Sequence, residues 1–199
     1  MPVDPSEVAA RVAVCESTDR GRGTMFNELL ALVNRELGAG AVTRVRAVLP
    51  PDAKYRDIFS YPIADFLKLM FAAADLLEPK LGSVELAIRA CGAATVDAFA
   101  RTPAGRVFFG VVSLAGPARL LSQAQTGYTT VVTYRSRSYT PKTDSSGSIV
   151  MNDAMQPVAY HEGVLEAVLR NVGYDATVCG KAIDVKTAEY SLEWKKQAA

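Results

Sequence analysis

QPVAYHEGVLEAVLRNVG, residues 156–173, decides how this chain is read. Pro157 suits the first turn of a helix, because its missing N–H is not needed there. Val164, Leu165, Val168, Leu169 and Val172 then recur at i+3, i+4, i+7, i+8 and i+11 from His161, a single apolar stripe that Gly173 closes. On either side the period is two. Upstream, YTTVVTYRSRSY (128–139) sets Val132, Tyr134 and Ser136 against Val131, Thr133 and Arg135, PKTDSSGS (141–148) reads as a polar turn, and SIVMND (148–153) as a second strand. Downstream, DATVCGKAI (175–183) and AEYSLEWK (188–195) alternate, the latter with Tyr190, Leu192 and Trp194 on one face. Residues 128–199 are therefore expected to form a β-β-α-β-β antiparallel-sheet lobe.

Ahead of it the grammar is helical. Residues 1–22 form an arm, as strand or short helix, and residues 23–127 a helical lobe, the whole making one compact α+β domain. In TMFNELLALVNREL (24–37), Phe26, Leu29, Leu30, Val33 and Leu37 share a face, and Gly38 ends the helix. A shorter helical piece runs to the break at Pro50 and Pro51. DAKYRDIFSYP (52–62) is a loop rich in aromatics, and Pro62 opens the helix IADFLKLMFAAADLLE (63–78). That helix is apolar on so wide a front that it needs partners on more than one side. Ser83 caps the next helix (83–102), whose Leu86, Ala90, Ala93, Ala94 and Val96 are expected inward, the small residues allowing a close neighbour. GRVFFGVVSL (105–114) and PARLLSQAQT (117–126) complete the lobe.

The 22 basic and 21 acidic side chains nearly cancel, which argues against nucleic acid as a partner. The N-terminus carries early acids and prolines where an export signal would be basic and then apolar. No apolar run reaches the length of a membrane span, so a soluble, cytoplasmic protein is expected. Cys15, Cys91 and Cys179 are odd in number and widely spaced, as reduced, buried thiols are.

The order of elements, helices first and then strands embracing a helix that leads to two final strands, resembles the haem nitric-oxide/oxygen-binding (H-NOX) fold and its relatives, the four-vinyl-reductase domain and TRAPP-type proteins. In its wording, from SYPIADFLKLMFAAADLLEPKLG through AIRACGAATVDAFARTPAGR and LAGPARLL to YHEGVLEAVLRNVG and YSLEW, the chain resembles a myxobacterial family of about 200 residues built on a domain of unknown function. In haem-carrying H-NOX proteins a histidine on the helix before the sheet ligates iron. The corresponding SLAGPARLLSQAQ has none. The family's Tyr-x-Ser-x-Arg strand is not matched either: Tyr134 and Ser136 are followed by Ser138 where arginine belongs. The resemblance thus implies the fold without the haem, and no cofactor is expected.

His161, the chain's one histidine, is expected to point at the core as a neutral ring, partnered by loop carbonyls, Tyr160 or Glu162. It lacks the nucleophile and orienting carboxylate that catalysis needs and the clustered ligands that a metal needs. RGRGTMF (20–26) lacks phosphate-loop spacing and reads as a turn and helix start, with anion binding on its exposed amides as the alternative. Arg135 and Arg137 share a strand face that reads as solvated, with an anion grip as the alternative. Asp65 and Asp75 lie on a helix surface.

With no catalytic constellation, the leading expectation is a non-enzymatic sensor or adaptor that binds an apolar small molecule in a cleft between the lobes, lined by Tyr61, Phe66, Met70, Phe109, Tyr134 and His161. The alternative is a TRAPP-like interaction protein without a ligand, partnering another protein or dimerising through the helix at 62–78. An enzyme acting on a hydrophobic substrate comes third.

Overall fold

The computed structural model describes residues 2–123, 129, 131–133 and 136–198. The N-terminal arm is a helix, α1 (Pro5–Ala13), started by Asp4, whose carboxylate accepts the Ser6 N–H at 2.8 Å. Arg11 fastens it to segments far along the chain, its guanidinium donating to the carbonyls of Met155 (3.0 Å) and Val185 (3.2 Å). Two three-residue strands follow the same logic of tying distant segments: β1 (Arg20–Arg22) pairs antiparallel with β2 (Ser60–Pro62).

Between and after them lie α2 (Gly23–Leu37), α3 (Ala39–Arg46), α4 (Ile63–Leu81) and α5 (Val84–Arg101). Gly38 ends α2 at φ 84°, a conformation that costs glycine nothing. In α4 nine side chains, from Ile63 through Phe66, Leu69 and Met70 to Leu77, are no more than 2% exposed. α1, α2, α3 and α5 all pack on it. The wide front expected to seat a second copy is thus covered within the chain, so that reason for a homodimer falls away. Pro62 stands at the N-cap, one residue ahead of the helix it was expected to begin.

Ser83 does cap α5, its hydroxyl accepting the Leu86 N–H at 3.1 Å. Leu86 itself is 50% exposed, not inward. The phase of the helix is set by Ala87, Ile88, Cys91 and Gly92, which form the buried row and leave Leu86 on the opposite side. That row crosses α8 (Val158–Arg170) at glycine-to-backbone contact: a Cβ on Gly92 would overlap the Tyr160 carbonyl, and one on Gly163 the Arg89 carbonyl. α6 (Pro103–Ser113) and α7 (Gly116–Ser122) follow α5.

The sheet has the order β3-β4-β6-β5, all antiparallel, from β3 (Arg137–Thr143), β4 (Ser146–Met151), β5 (Tyr174–Ala182) and β6 (Ala188–Lys196). The β-β-α-β-β order is as read, and Tyr190, Leu192 and Trp194 of β6 are buried as their alternation requires. The first strand differs from its sequence reading. It starts nine residues later than the alternation suggested and runs through Pro141 and Thr143, taken as turn. Two facts explain this. Val132 is drawn away to β1, bridging Gly21, with the Arg22 N–H on the Val131 carbonyl (2.9 Å) and the Thr133 N–H on that of Arg20 (3.1 Å). β3 is also an edge strand, where proline's missing donor is tolerated, and the register shifts between Pro141 and Thr143. Tyr128, Tyr134 and Arg135 lie outside the described residues.

Two apolar clusters result. One gathers α2, α4 and α5 with Tyr160 and Val164 of α8. The other gathers α6 and α7 with Leu165 and Leu169 of α8 and the inner face of the sheet. Each fully buried large side chain contributes roughly 1.5–3 kcal/mol.

A candidate ligand cavity beside His161

α8 belongs to both clusters, and the space between them is not filled. A cavity of about 330 Å³ lies there. α8 supplies Tyr160, His161, Val164, Leu165 and Val168, and α5 supplies Thr95, Val96, Ala98 and Phe99. Phe108 and Phe109 of α6 and Leu120 and Leu121 of α7 form a third side. The start of α2 gives Thr24, Met25 and Glu28, and Asp57, Thr102, Gln123, Val131, Val132, Arg137 and Gln156 complete the lining. The volume falls within the range of small-molecule sites, and the walls are mostly apolar with a few convergent polar groups.

Those polar groups are deeply buried: His161 is 1% exposed, Gln156 4% and Arg137 8%. The His161 ring stands edge-on to Tyr160 (centroids 5.4 Å apart) and to Tyr190 of β6 (6.0 Å). Burial holds its pKa well below the ordinary value, and the positive charges of Arg137 and Arg11 push the same way, so the ring is neutral. The Tyr160 hydroxyl lies 3.2 Å from that of Thr95.

Glu162, expected as a partner for the histidine, is committed elsewhere. Its carboxylate accepts the Gly180 N–H (2.7 Å) and the Arg89 guanidinium (3.2 Å). Arg89 also donates to Glu166 (2.9 Å) and to the Val178 carbonyl (3.0 Å). This cluster clamps α5, α8 and β5 and so fixes the face that α8 turns to the cavity. At the edge, burial raises the Glu28 carboxyl pKa, against the pull of Arg101 at 3.1 Å.

Of the six residues read as ligand-binding, the structure brings Phe109 and His161 together on the cavity wall. Phe66 and Met70 sit inside the helical core, both 0% exposed and off the wall. Tyr61 braces the loop before α4: its ring is edge-on to Tyr55 (4.8 Å), its hydroxyl accepts the Arg56 N–H (2.8 Å) and donates to the Lys54 carbonyl (2.9 Å). Tyr134 is outside the described residues. Arg137, read as part of a solvated face, is buried instead, because β3 starts with it and turns it inward. The signal that could have found it is Tyr139, two residues on and on the same face. Gln156, Thr95 and Phe99 gave no such signal.

The cysteines divide. Cys91 is buried, Cys15 half-buried and Cys179 exposed, so the expectation of three buried thiols holds for one. Burial pushes the Cys91 thiol up to about 12 and, as the largest of its causes, that of Cys15 up to about 11. Among the described residues no group of three or more His, Cys, Asp or Glu could hold a metal ion, and no helix is long and apolar enough to cross a membrane.

A lobe of helices, a four-stranded antiparallel sheet entered through one helix, and a cavity where the two meet define an α+β protein of the H-NOX-like fold. The Fe(II) unliganded H-NOX protein from K. algicida superposes with a TM-score of 0.70 at 12% identity, over 89% of this chain and 98% of that one. The S. oneidensis H-NOX protein in the Fe(II)NO ligation state gives 0.66 at 12% identity, over 88% and 99%. Identities this low carry the fold alone. The chain belongs to the family of proteins of unknown function DUF2378, whose profile matches residues 17–195. No curated protein matches it.

Proposed function

We propose that this protein is a non-enzymatic sensor or adaptor module that binds an apolar small molecule in the cavity between α5, α6, α7 and α8. One observation carries the reading. Three polar side chains, Arg137, Gln156 and His161, are kept at 8% exposure or less around a space that apolar residues could have filled. A cavity with mostly apolar walls and a few polar groups converging on it is the usual form of a small-molecule site, in which the polar groups fix the ligand's orientation. The H-NOX-like fold supports a sensor-type role.

The solved H-NOX structures are described in Fe(II) states. The residues here do not fit an iron group held in the way that the resemblance implies. α6 and α7 turn Phe108, Phe109, Leu120 and Leu121 to the cavity, none of them an axial donor, and the one imidazole stands on α8. Haem added to the protein is expected to keep its free spectrum. A coordinated Soret band that disappears in His161→Ala would overturn that statement.

Native mass spectrometry of freshly purified protein tests the binding reading, paired with uptake of the apolar fluorophore anilinonaphthalene sulfonate. The expected result is an adduct released on denaturation, or, once it is stripped, fluorophore uptake that falls at least about tenfold in Val164→Phe, which fills the cavity. A bare mass together with uptake indifferent to Val164→Phe sinks the proposal.

A further inference from the structure

α6 carries apolar side chains on two sides. Phe109 is 7% exposed and faces the cavity. On the opposite side Val107 (68% exposed), Val111 (65%) and Leu114 (90%) stand in one row at i, i+4 and i+7. Single exposed apolar residues are ordinary, but three in a row on one helix form a patch that water does not favour.

The charge on these two helices is one-sided. The total charge of the chain is balanced, yet α6 and α7 carry no Asp or Glu, while Arg106 and Arg119 lie on them. Both arginines are exposed, Arg106 on the same helix as the apolar row and Arg119 on the helix that follows it. A second copy packed isologously on this face would bring those arginines toward their own counterparts, which is repulsive. A negatively charged surface that also accepts apolar side chains is complementary, and an anionic lipid bilayer is such a surface.

We propose that the outer face of α6, with Arg106 and Arg119, docks this protein reversibly onto anionic lipid membranes, with Val107, Val111 and Leu114 entering the headgroup region. The contact is peripheral and consistent with the absence, among the described residues, of a helix able to span a bilayer. It stands independently of the cavity. If both readings hold, α6 is the partition between the cavity and the lipid.

Co-sedimentation with vesicles of phosphatidylcholine alone and of an equal mixture of phosphatidylcholine and phosphatidylglycerol tests this. The full chain is expected to pellet with the mixed vesicles, to do so less as salt rises, and to ignore phosphatidylcholine alone. Leu114→Asp lowers the bound fraction at least about tenfold, through lost apolar burial. Arg106→Glu and Arg119→Glu each lower it about fivefold or more, through lost attraction to the anionic surface. All three residues are exposed, so circular dichroism and elution volume are expected to stay unchanged. The proposal is overturned if the protein stays in solution with mixed vesicles at low salt, or if Val111→Asp and Leu114→Asp bind like wild type. A dimer in ultracentrifugation that Leu114→Asp abolishes, without vesicle binding, assigns the face to a second copy and overturns the lipid version.

Discussion

α4 and α6 both look over-supplied with apolar residues, and the fold treats them oppositely. α4 is enclosed on every apolar side by α1, α2, α3 and α5, and its large side chains from Ile63 to Leu77 are sealed. α6 has apolar partners on one side only: Phe109 meets the second core cluster, while Val107, Val111 and Leu114 meet solvent. The hydrophobicity of a helix therefore states how much surface wants cover, and only its neighbours say whether the cover is its own chain. The same contrast separates a core that is packed solid from a seam that is left hollow beside α8.

The largest expected effect tests the sealed side. Leu69→Asp puts an unpaired carboxylate where exposure is 0% and should cost more than about 4 kcal/mol, enough to abolish a cooperative thermal transition. A folded variant would mean that α4 is less enclosed than described. Next, Phe66→Ala should cost about 3–5 kcal/mol by denaturant titration, since it opens a new void in close packing. Phe109→Ala only enlarges an existing one and should cost less, about 1–3 kcal/mol. Equal losses would erase the distinction between solid core and hollow seam.

The third effect is in pH. His161 has a folded-state pKa below its ordinary value of 6.5, so below that pH the unfolded chain binds a proton that the native one refuses. The full stability is present above about pH 6.5 and is lost as pH falls, at up to about 1.4 kcal/mol per pH unit from this group. His161→Gln should flatten the fall of the denaturation midpoint between pH 7 and 5, and an unchanged slope would say that the ring is already charged or exposed. Smallest is the effect of Leu114→Asp on stability, expected within about 0.5 kcal/mol because the side chain is already in water. A larger loss would show that the outer face of α6 is covered after all.

Much of the architecture was legible because its signals are local. Ser83 as a cap, Gly38 in its left-handed turn, the stripe from His161 to Val172 and the alternation through Tyr190, Leu192 and Trp194 each involve residues within a turn or two of one another. The site was less so. His161 and Phe109 could be named, since an imidazole on an apolar stripe and a phenylalanine pair on a short helix stand out. Arg137 could not, because its burial depends on where β3 begins, which in turn depends on Val132 pairing with Gly21, more than a hundred residues earlier in the chain.

The sequence by itself determined the period of each segment, its caps and its breaks, because these are set by backbone sterics and by side chains a few positions apart. From them follow the class α+β and the order of elements. The tertiary structure alone decided which apolar faces meet, that Leu86 looks outward and Arg137 inward, and that the space between α5, α6, α7 and α8 stays open. Those outcomes depend on how elements far apart in the chain fit together, where a glycine contact such as Gly92 on Tyr160 sets the spacing. No local rule of hydrophobicity or propensity contains that fit.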